Sequence, residues 1–573
     1  MTKRIFMLAA LWAIAICPAL AEMPVDGNRM IKHGEFTEEE LLRNNEIGPY
    51  IQVTAPPPAG TRNPAEYEPM TGVLVRWPLI IPYNLLDSIA DHIKLWMVVS
   101  SANKNTCSTS LANNGVNMVN VGFVIATTNY GWIRDYGPWF VIQPDGKPGI
   151  FDFRYNRTGR PQDDSIPIKI GATWNLPVYV STIMHTGGNY MSAGHGQAMS
   201  TNLVYSENGN NQAWVDDQML QYLGVGDYVT MADPQASYID HIDCWAKIIS
   251  PTKVMVLQVP PGHGDYANLE AAAAYLATQP NHYGTNWEVV RVYSGGTEGY
   301  TNSVILNDYV YVPIWNTAND AAALQTYRNA LPGYHVVGNY YGGSSGYENT
   351  DAIHCRTMGV TDSAMLWISH RPVAATQPAG QPVAVKSLIR CHPGNSLTHH
   401  KCFYRFGTSG PFDSLGMAPA GSDSFETQIP GAASGDTVEY YISARDNSGR
   451  AESQPRFAPA SWRHRYVAGS SGVAGFPQGP SPERAMLWAA PNPFATSTRI
   501  VFQSAGPGRV ELAIYNAAGQ RVRTLVSGTP APGWHEARWD GRDGQQGDLP
   551  SGTYFIILET GAGRSALRTL KVK

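Results

Sequence analysis

Four short stretches set chemically capable side chains among apolar runs. They are NYGWIRDYGPWF around Asp135, MHTGGNYMS around Gly188, SYIDHIDCWAK around His241 and Asp243, and AIHCRTMGV around Cys355. Together they offer a thiol nucleophile, an imidazole acid/base and two carboxylates. Cys, His and Asp can run acyl transfer through a covalent thioester. The same set also suits a guanidinium, which is planar, always charged and carries a fixed fork of donors. Two aspartates can each accept paired hydrogen bonds from such a cation and draw it out of water. A thiolate then attacks the central carbon while the histidine moves protons. A pair of cation-gripping carboxylates accounts for Asp135 and Asp243 both standing in apolar neighbourhoods. His241 and Asp243 could form half of a metal site, but no other cluster supplies enough ligands to complete one.

The cysteine count bears on which thiol is available. The chain opens MTKRIFMLAALWAIAICPALAEMP, a basic start, a short apolar run and an Ala-Leu-Ala ending. That pattern predicts a secretory leader over residues 1–21, and so a secreted or cell-surface protein. Of the six cysteines, Cys17 falls in the leader, leaving Cys107, Cys244, Cys355, Cys391 and Cys402. In an oxidising compartment an odd count leaves a thiol over. Cys391 and Cys402 flank a segment that reads as a hairpin and are expected to pair. Cys107 and Cys244 either pair or pack as buried thiols. Cys355 remains, with His354 and Arg356 beside it, and a protonated neighbour would favour its thiolate. The run CHPGNSLTHHKC fits no familiar zinc spacing.

These side chains need a scaffold. A length of 573 residues predicts three or four domains. The net charge of −5 and the lack of a Lys/Arg run exclude nucleic acid binding by a basic surface. No run after the leader is long and apolar enough for a transmembrane helix. From about residue 60 to 372, apolar strands alternate with helices, an α/β pattern. GVLVRWPLII, MVNVGFVIA, KVMVLQV, SVILNDYVYVPI and HVVGNYY read as strands; AWVDDQMLQYLG, YANLEAAAAYLATQPN and NDAAALQTYRNALPG read as helices, the last capped by Asn319. Residues 22–59 form an N-terminal extension. Residues 373–467 alternate tightly between turns and predict an immunoglobulin-like β-sandwich. A Gly/Ser/Pro linker spans 468–486, and a second β-sandwich spans 487–573.

In order, NPAEYEPMTGVLVRWP, WIRDYGPW, TGGNYM, DHIDCWAKIISPTKVMV, LPGYHVVG and IHCRTMGV resemble the agmatine deiminase/bacterial peptidylarginine deiminase branch of the guanidine-modifying enzymes. The resemblance implies the pentein fold, an α/β propeller of five ββαβ-like modules, followed here by two all-β modules. It makes Cys355 the nucleophile, His241 the acid and base, Asp135 and Asp243 the guanidinium grips, and Asn302 an orienting residue beside the thiol. Trp132 and Tyr238 become walls of the substrate channel, and Gly187-Gly188-Asn189 a tight turn at the site. The implied reaction passes through a covalent thiouronium on Cys355, releases ammonia and leaves a urea group. It needs no metal or cofactor.

The leader and β-modules favour an arginine-containing peptide or protein as substrate over agmatine. In the resembling peptidylarginine deiminases two arginines clamp the substrate's C-terminal carboxylate, and FRYNRTGRPQDD offers Arg157 and Arg160. One residue is expected between such a pair and two stand here, so Arg157 is the better match. A deiminase of agmatine or free arginine, and a non-catalytic surface binder on the same scaffold, are the alternatives. Pro491-Asn492-Pro493-Phe494, Trp539-Asp540-Gly541, Ser551-Gly552-Thr553-Tyr554 and the basic end at Lys571 and Lys573 resemble C-terminal modules that act as sorting or attachment signals in type IX secretion. That implies secretion machinery as a partner.

Overall fold

The computed structural model describes residues 25–26, 29–30, 52–469 apart from 158, 236–238, 344–345 and 422, and most of 487–572. The leader expected at 1–21, nearly all of the linker and Tyr238 lie outside the described residues. Among the described residues no helix is long and apolar enough to cross a membrane.

One strand pattern recurs five times between residues 70 and 361. An antiparallel pair is followed by a helix and then by a strand parallel to the second of the pair. Trp139–Ile142 and Pro148–Tyr155 pair antiparallel, and Val178–His185 returns parallel after the helix Ile166–Trp174. Met191–Ser192, Gln197–Thr201 and Asp227–Met231 repeat this around the helix Gln212–Leu223. Ala246–Ser250, Lys253–Gln258 and Glu288–Tyr293 repeat it around Tyr266–Leu276. Val304–Leu306, Tyr309–Ile314 and His335–Tyr340 do so around Asp320–Ala330. The remaining sheet is split in sequence. Met358–Thr361 returns to pair with Met70–Arg76, which then lies parallel to Lys94–Val99 across the helix Tyr83–Ala90. Parallel neighbours need such crossovers, because a short turn cannot reverse the chain twice.

The strands are buried on both faces, as their near-continuous apolar runs require. Val254, Met255, Val256 and Leu257 all lie in the core. SVILNDYVYVPI, expected as one strand, is a tight hairpin: Asn307 takes φ 58° and breaks it between Leu306 and Tyr309. Asn tolerates that left-handed conformation better than most residues. Asn319 does occupy the N-cap of its helix, but its side chain makes no cap bond; its Nδ2 donates to Glu298 Oε1 at 3.1 Å.

Two β-units follow. In the first, the sheet Trp367–Ser369, Val383–Arg390, Ser424–Ile429 and Ala418–Gly421 is joined by a second containing His464–Gly469, Thr437–Asp446 and Leu397–Phe406. The expected Cys391–Cys402 disulfide is not formed, and all five described cysteines are free thiols. The segment between them is an inter-sheet connection, not a hairpin. Cys391 follows the strand Val383–Arg390 of one sheet, while Cys402 belongs to the other and points into the core, where burial pushes its thiol up to about 12. The last unit holds a three-stranded sheet over Leu487–Ala490, Thr498–Ser504 and Gly533–Trp539, and a four-stranded one from Val510 to Lys571.

Candidate active site

The five stretches that link one strand pattern to the next all come to one place. The first carries Trp132 and Asp135, the second Gly187-Gly188-Asn189, the third His241 and Asp243, the fourth Asn302 and the fifth Cys355. All of these residues are buried. Loops positioned by a rigid scaffold are where functional groups concentrate.

Cys355 Sγ lies 3.4 Å from Asp243 Oδ2 and 3.7 Å from the Thr350 carbonyl. Asn302 Nδ2 donates to the sulfur at 3.1 Å. The Asn302 Oδ1 accepts the backbone N–H of Ala352 at 3.0 Å and of Cys355 at 3.2 Å. Asn302 thus fixes both the thiol and the backbone that carries it. Trp132 and Ile80 pack against Cys355 with Tyr130 alongside, an apolar wall over the sulfur.

His241 Nδ1 stands 3.8 Å from Asp135 Oδ1. Gly188 N–H donates to the same oxygen at 3.2 Å. The two glycines are required by close approach. A Cβ at Gly187 would fall 1.9 Å from the Arg134 carbonyl oxygen, and one at Gly188 would fall 2.5 Å from His241 Nδ1 and 2.8 Å from Asp135 Oδ1. Asn189 finishes the turn by accepting the N–H of Thr201 at 2.9 Å and of Ile242 at 3.3 Å.

The electrostatics of the thiol run against the expectation from sequence. Burial, then the carboxylates of Asp243, Asp351 and Asp135, push Cys355 well above the ordinary thiol value. The two cationic neighbours in sequence serve other groups. Arg356 forms a two-pronged pair with Asp351, with Nε to Oδ1 at 2.9 Å and Nη2 to Oδ2 at 2.7 Å. His354 turns its Nδ1 to Asp243 Oδ2 at 2.7 Å and its Nε2 to Glu66 Oε2 at 2.9 Å. Adjacency along the chain placed these charges beside Cys355, but their side chains point elsewhere.

Arg157 is half-buried, and its charge acts on the Glu207 carboxylate. Arg160 is buried, with its guanidinium 4.1 Å from the Tyr130 ring centre and 5.3 Å from that of Trp132. Reading the sequence alone missed Glu66, Arg134, Lys247 and Cys244. Arg134 N–H donates to the Cys355 carbonyl at 3.2 Å, and its guanidinium pairs with Glu66 at 2.9 Å. Cys244 Sγ shares the Thr350 carbonyl at 3.6 Å and is pushed well up by burial and Asp243. Glu66 in NPAEYEPM, one of two glutamates in a short stretch ahead of the first strand, carries no local signal of the cations it meets.

Two regions of the chain are similar to known proteins. The FlgD Ig-like domain model matches residues 494–563. A protein of Vibrio parahaemolyticus assigned as an agmatine deiminase is 23% identical over 341 residues, 50% of this chain and 92% of that one. Among solved structures, the agmatine deiminase of Enterococcus faecalis is 21% identical, with a TM-score of 0.47 over 52% of this chain and 96% of its own. The agmatine deiminase of C. jejuni is 17% identical, with a TM-score of 0.43 over 52% of this chain and 96% of its own. The family model of the Porphyromonas-type peptidyl-arginine deiminases matches residues 62–360, more than half of the 573. With that match the chain belongs to the Porphyromonas-type peptidyl-arginine deiminase family of penteins, hydrolases that act on C–N bonds of amidines.

Proposed function

We propose that the chain is an exported peptidylarginine deiminase, converting arginine in peptides or proteins to citrulline and ammonia. The observation that carries the chemistry is a pair of buried contacts, Cys355 with Asp243 and Asn302 and His241 with Asp135, drawn from four separate connections, with Asp135 near enough to act on the thiol. The carboxylates that hold the thiol protonated are the groups that attract a guanidinium. A cation seated between Asp135 and Asp243 cancels their charge, so substrate arrival itself lowers the thiol. Its proton passes to His241, and the thiolate adds to the guanidinium carbon. His241 gives that proton to the leaving amine, ammonia departs, and a thiouronium remains on sulfur. Water then surrenders a proton to His241 and its oxygen to the carbon. The C–S bond breaks and a urea group leaves.

Preference for C-terminal arginine rests on Arg157. The agmatine reading has one observation in its favour, since Glu207 lies within electrostatic reach of Arg157 and tempers its call on a substrate carboxylate. Export rests on the leader pattern, and a sorting role for the last unit rests on its motifs. The test is product formation by the purified chain on three substrates: a peptide ending in arginine, the same peptide with arginine internal, and agmatine. Cys355→Ala is the control. Turnover of the peptides supports the proposal. Turnover of agmatine alone moves the function to the second reading, and no turnover of any substrate refutes both.

A further inference from the structure

Glu66 sits ahead of the first core strand, outside the connections that carry the site, yet four donors converge on its carboxylate. Oε1 takes the Lys247 ammonium at 2.6 Å and the Ile305 N–H at 2.9 Å. Oε2 takes the Arg134 guanidinium at 2.9 Å and His354 Nε2 at 2.9 Å. Burial pushes this carboxyl up, but Lys247, His354 and Arg134 outweigh it and hold it well below the usual range. The far nitrogen of the same imidazole meets Asp243 Oδ2 at 2.7 Å, the oxygen that faces the Cys355 sulfur. Glu66, Arg134, Lys247 and His354 also line a cavity of about 70 Å³.

Asp243 has to present a fixed carboxylate plane to a planar cation, and a carboxylate can turn about its last torsion. The donor that stops it is His354 Nδ1. That ring could itself turn were its other nitrogen not held, and Glu66 holds it. Carboxylates bound to the outer nitrogen of a functional imidazole orient metal-site histidines in the same way. We propose that Glu66 is a positioning residue of the deiminase site, acting through His354 to set the plane in which Asp243 receives an amidinium. The proposal rests on the deiminase reading. A Glu66 that merely neutralised Lys247 and Arg134 would affect stability and leave amidinium recognition alone.

The test compares two reagents at Cys355 of the full chain: 2-chloroacetamidine, a cation shaped like the substrate head, and iodoacetamide, which is neutral. Their rate ratio reads the grip on the amidinium and is insensitive to a general loss of reactivity. The ratio is expected to fall about tenfold in Glu66→Gln and in His354→Leu, and no further in the double variant, because one acts through the other. Single variants that keep the wild-type ratio, or losses that multiply in the double variant, overturn the proposal. Should Glu66→Gln fail to give a cooperative melt, Glu66→Asp replaces it. It keeps the charge for Lys247 and Arg134 but is one methylene too short to hold His354 as well. A wild-type chain with no preference for the amidinium overturns the deiminase reading instead.

Discussion

Replacing Gly188 by alanine probes the site with one added methyl group. The new Cβ would lie 2.5 Å from His241 Nδ1 and 2.8 Å from Asp135 Oδ1, where ordinary contact begins at 3.4 Å. Either the imidazole withdraws by about 0.9 Å, the difference between 3.4 and 2.5 Å, or the turn carries the strain. The Gly188 N–H that donates to Asp135 survives the substitution, so the effect is steric and not the loss of a donor. A misplacement of about 1 Å costs on the order of 10²-fold in rate, or about 2.7 kcal/mol of transition-state binding. Overpacking a filled core costs about 1–3 kcal/mol of stability. Peptide deimination by Gly188→Ala should therefore drop about a hundredfold in kcat/KM while the protein still melts cooperatively, a few degrees lower. A folded variant with kcat/KM within threefold of wild type would show that the turn does not set the geometry of His241 and Asp135.

Other consequences are open to simpler measurements. Asp243→Asn removes a carboxylate that pushes the Cys355 thiol up, so neutral iodoacetamide at pH 7 should alkylate Cys355 faster in the variant, while deimination falls by about 10² or more; slower alkylation would contradict the electrostatics. Arg157→Ala should lower the ratio of C-terminal to internal arginine turnover about tenfold, and an unchanged ratio removes the clamp. Burial pushes Asp216 up to about 7, against an accepted hydrogen bond from Tyr205 at 2.9 Å. Its folded value stands above its unfolded one, so its contribution is fully present in acid and is lost as the pH rises through about 7. Asp216→Asn should accordingly gain melting temperature relative to wild type between pH 5 and pH 8, and a difference independent of pH would refute the assignment.

Much of the site was legible because its chemistry is written in rare residue types. Asp135, His241, Asp243, Asn302 and Cys355 are all buried on the connections between strand patterns, and the helices Gln212–Leu223, Tyr266–Leu276 and Asp320–Ala330 follow their apolar spacing. The fivefold recurrence of the strand pattern was invisible, because each copy keeps a topology and not a sequence. Charge at the thiol was misjudged for a related reason. Nearness along the chain says nothing of side-chain direction, and His354 and Arg356 both turn to carboxylates. The Cys391–Cys402 pairing failed on the same ground, since the chain between Arg390 and Leu397 crosses from one sheet to the other. Glu66 was unreadable because its depth comes from Lys247, Arg134 and His354, contributed by distant segments.

The split sheet has a consequence for timing. Its first strand, Met70–Arg76, is made early, but its partner Met358–Thr361 leaves the ribosome almost three hundred residues later, just behind Cys355. Until that partner docks, the nucleophile has no carboxylate beside it and no asparagine to hold its backbone. A chain still being synthesised therefore carries the thiol without the groups that surround it in the folded site. The sheet beneath the nucleophile is complete only once the late strand has closed against the early one.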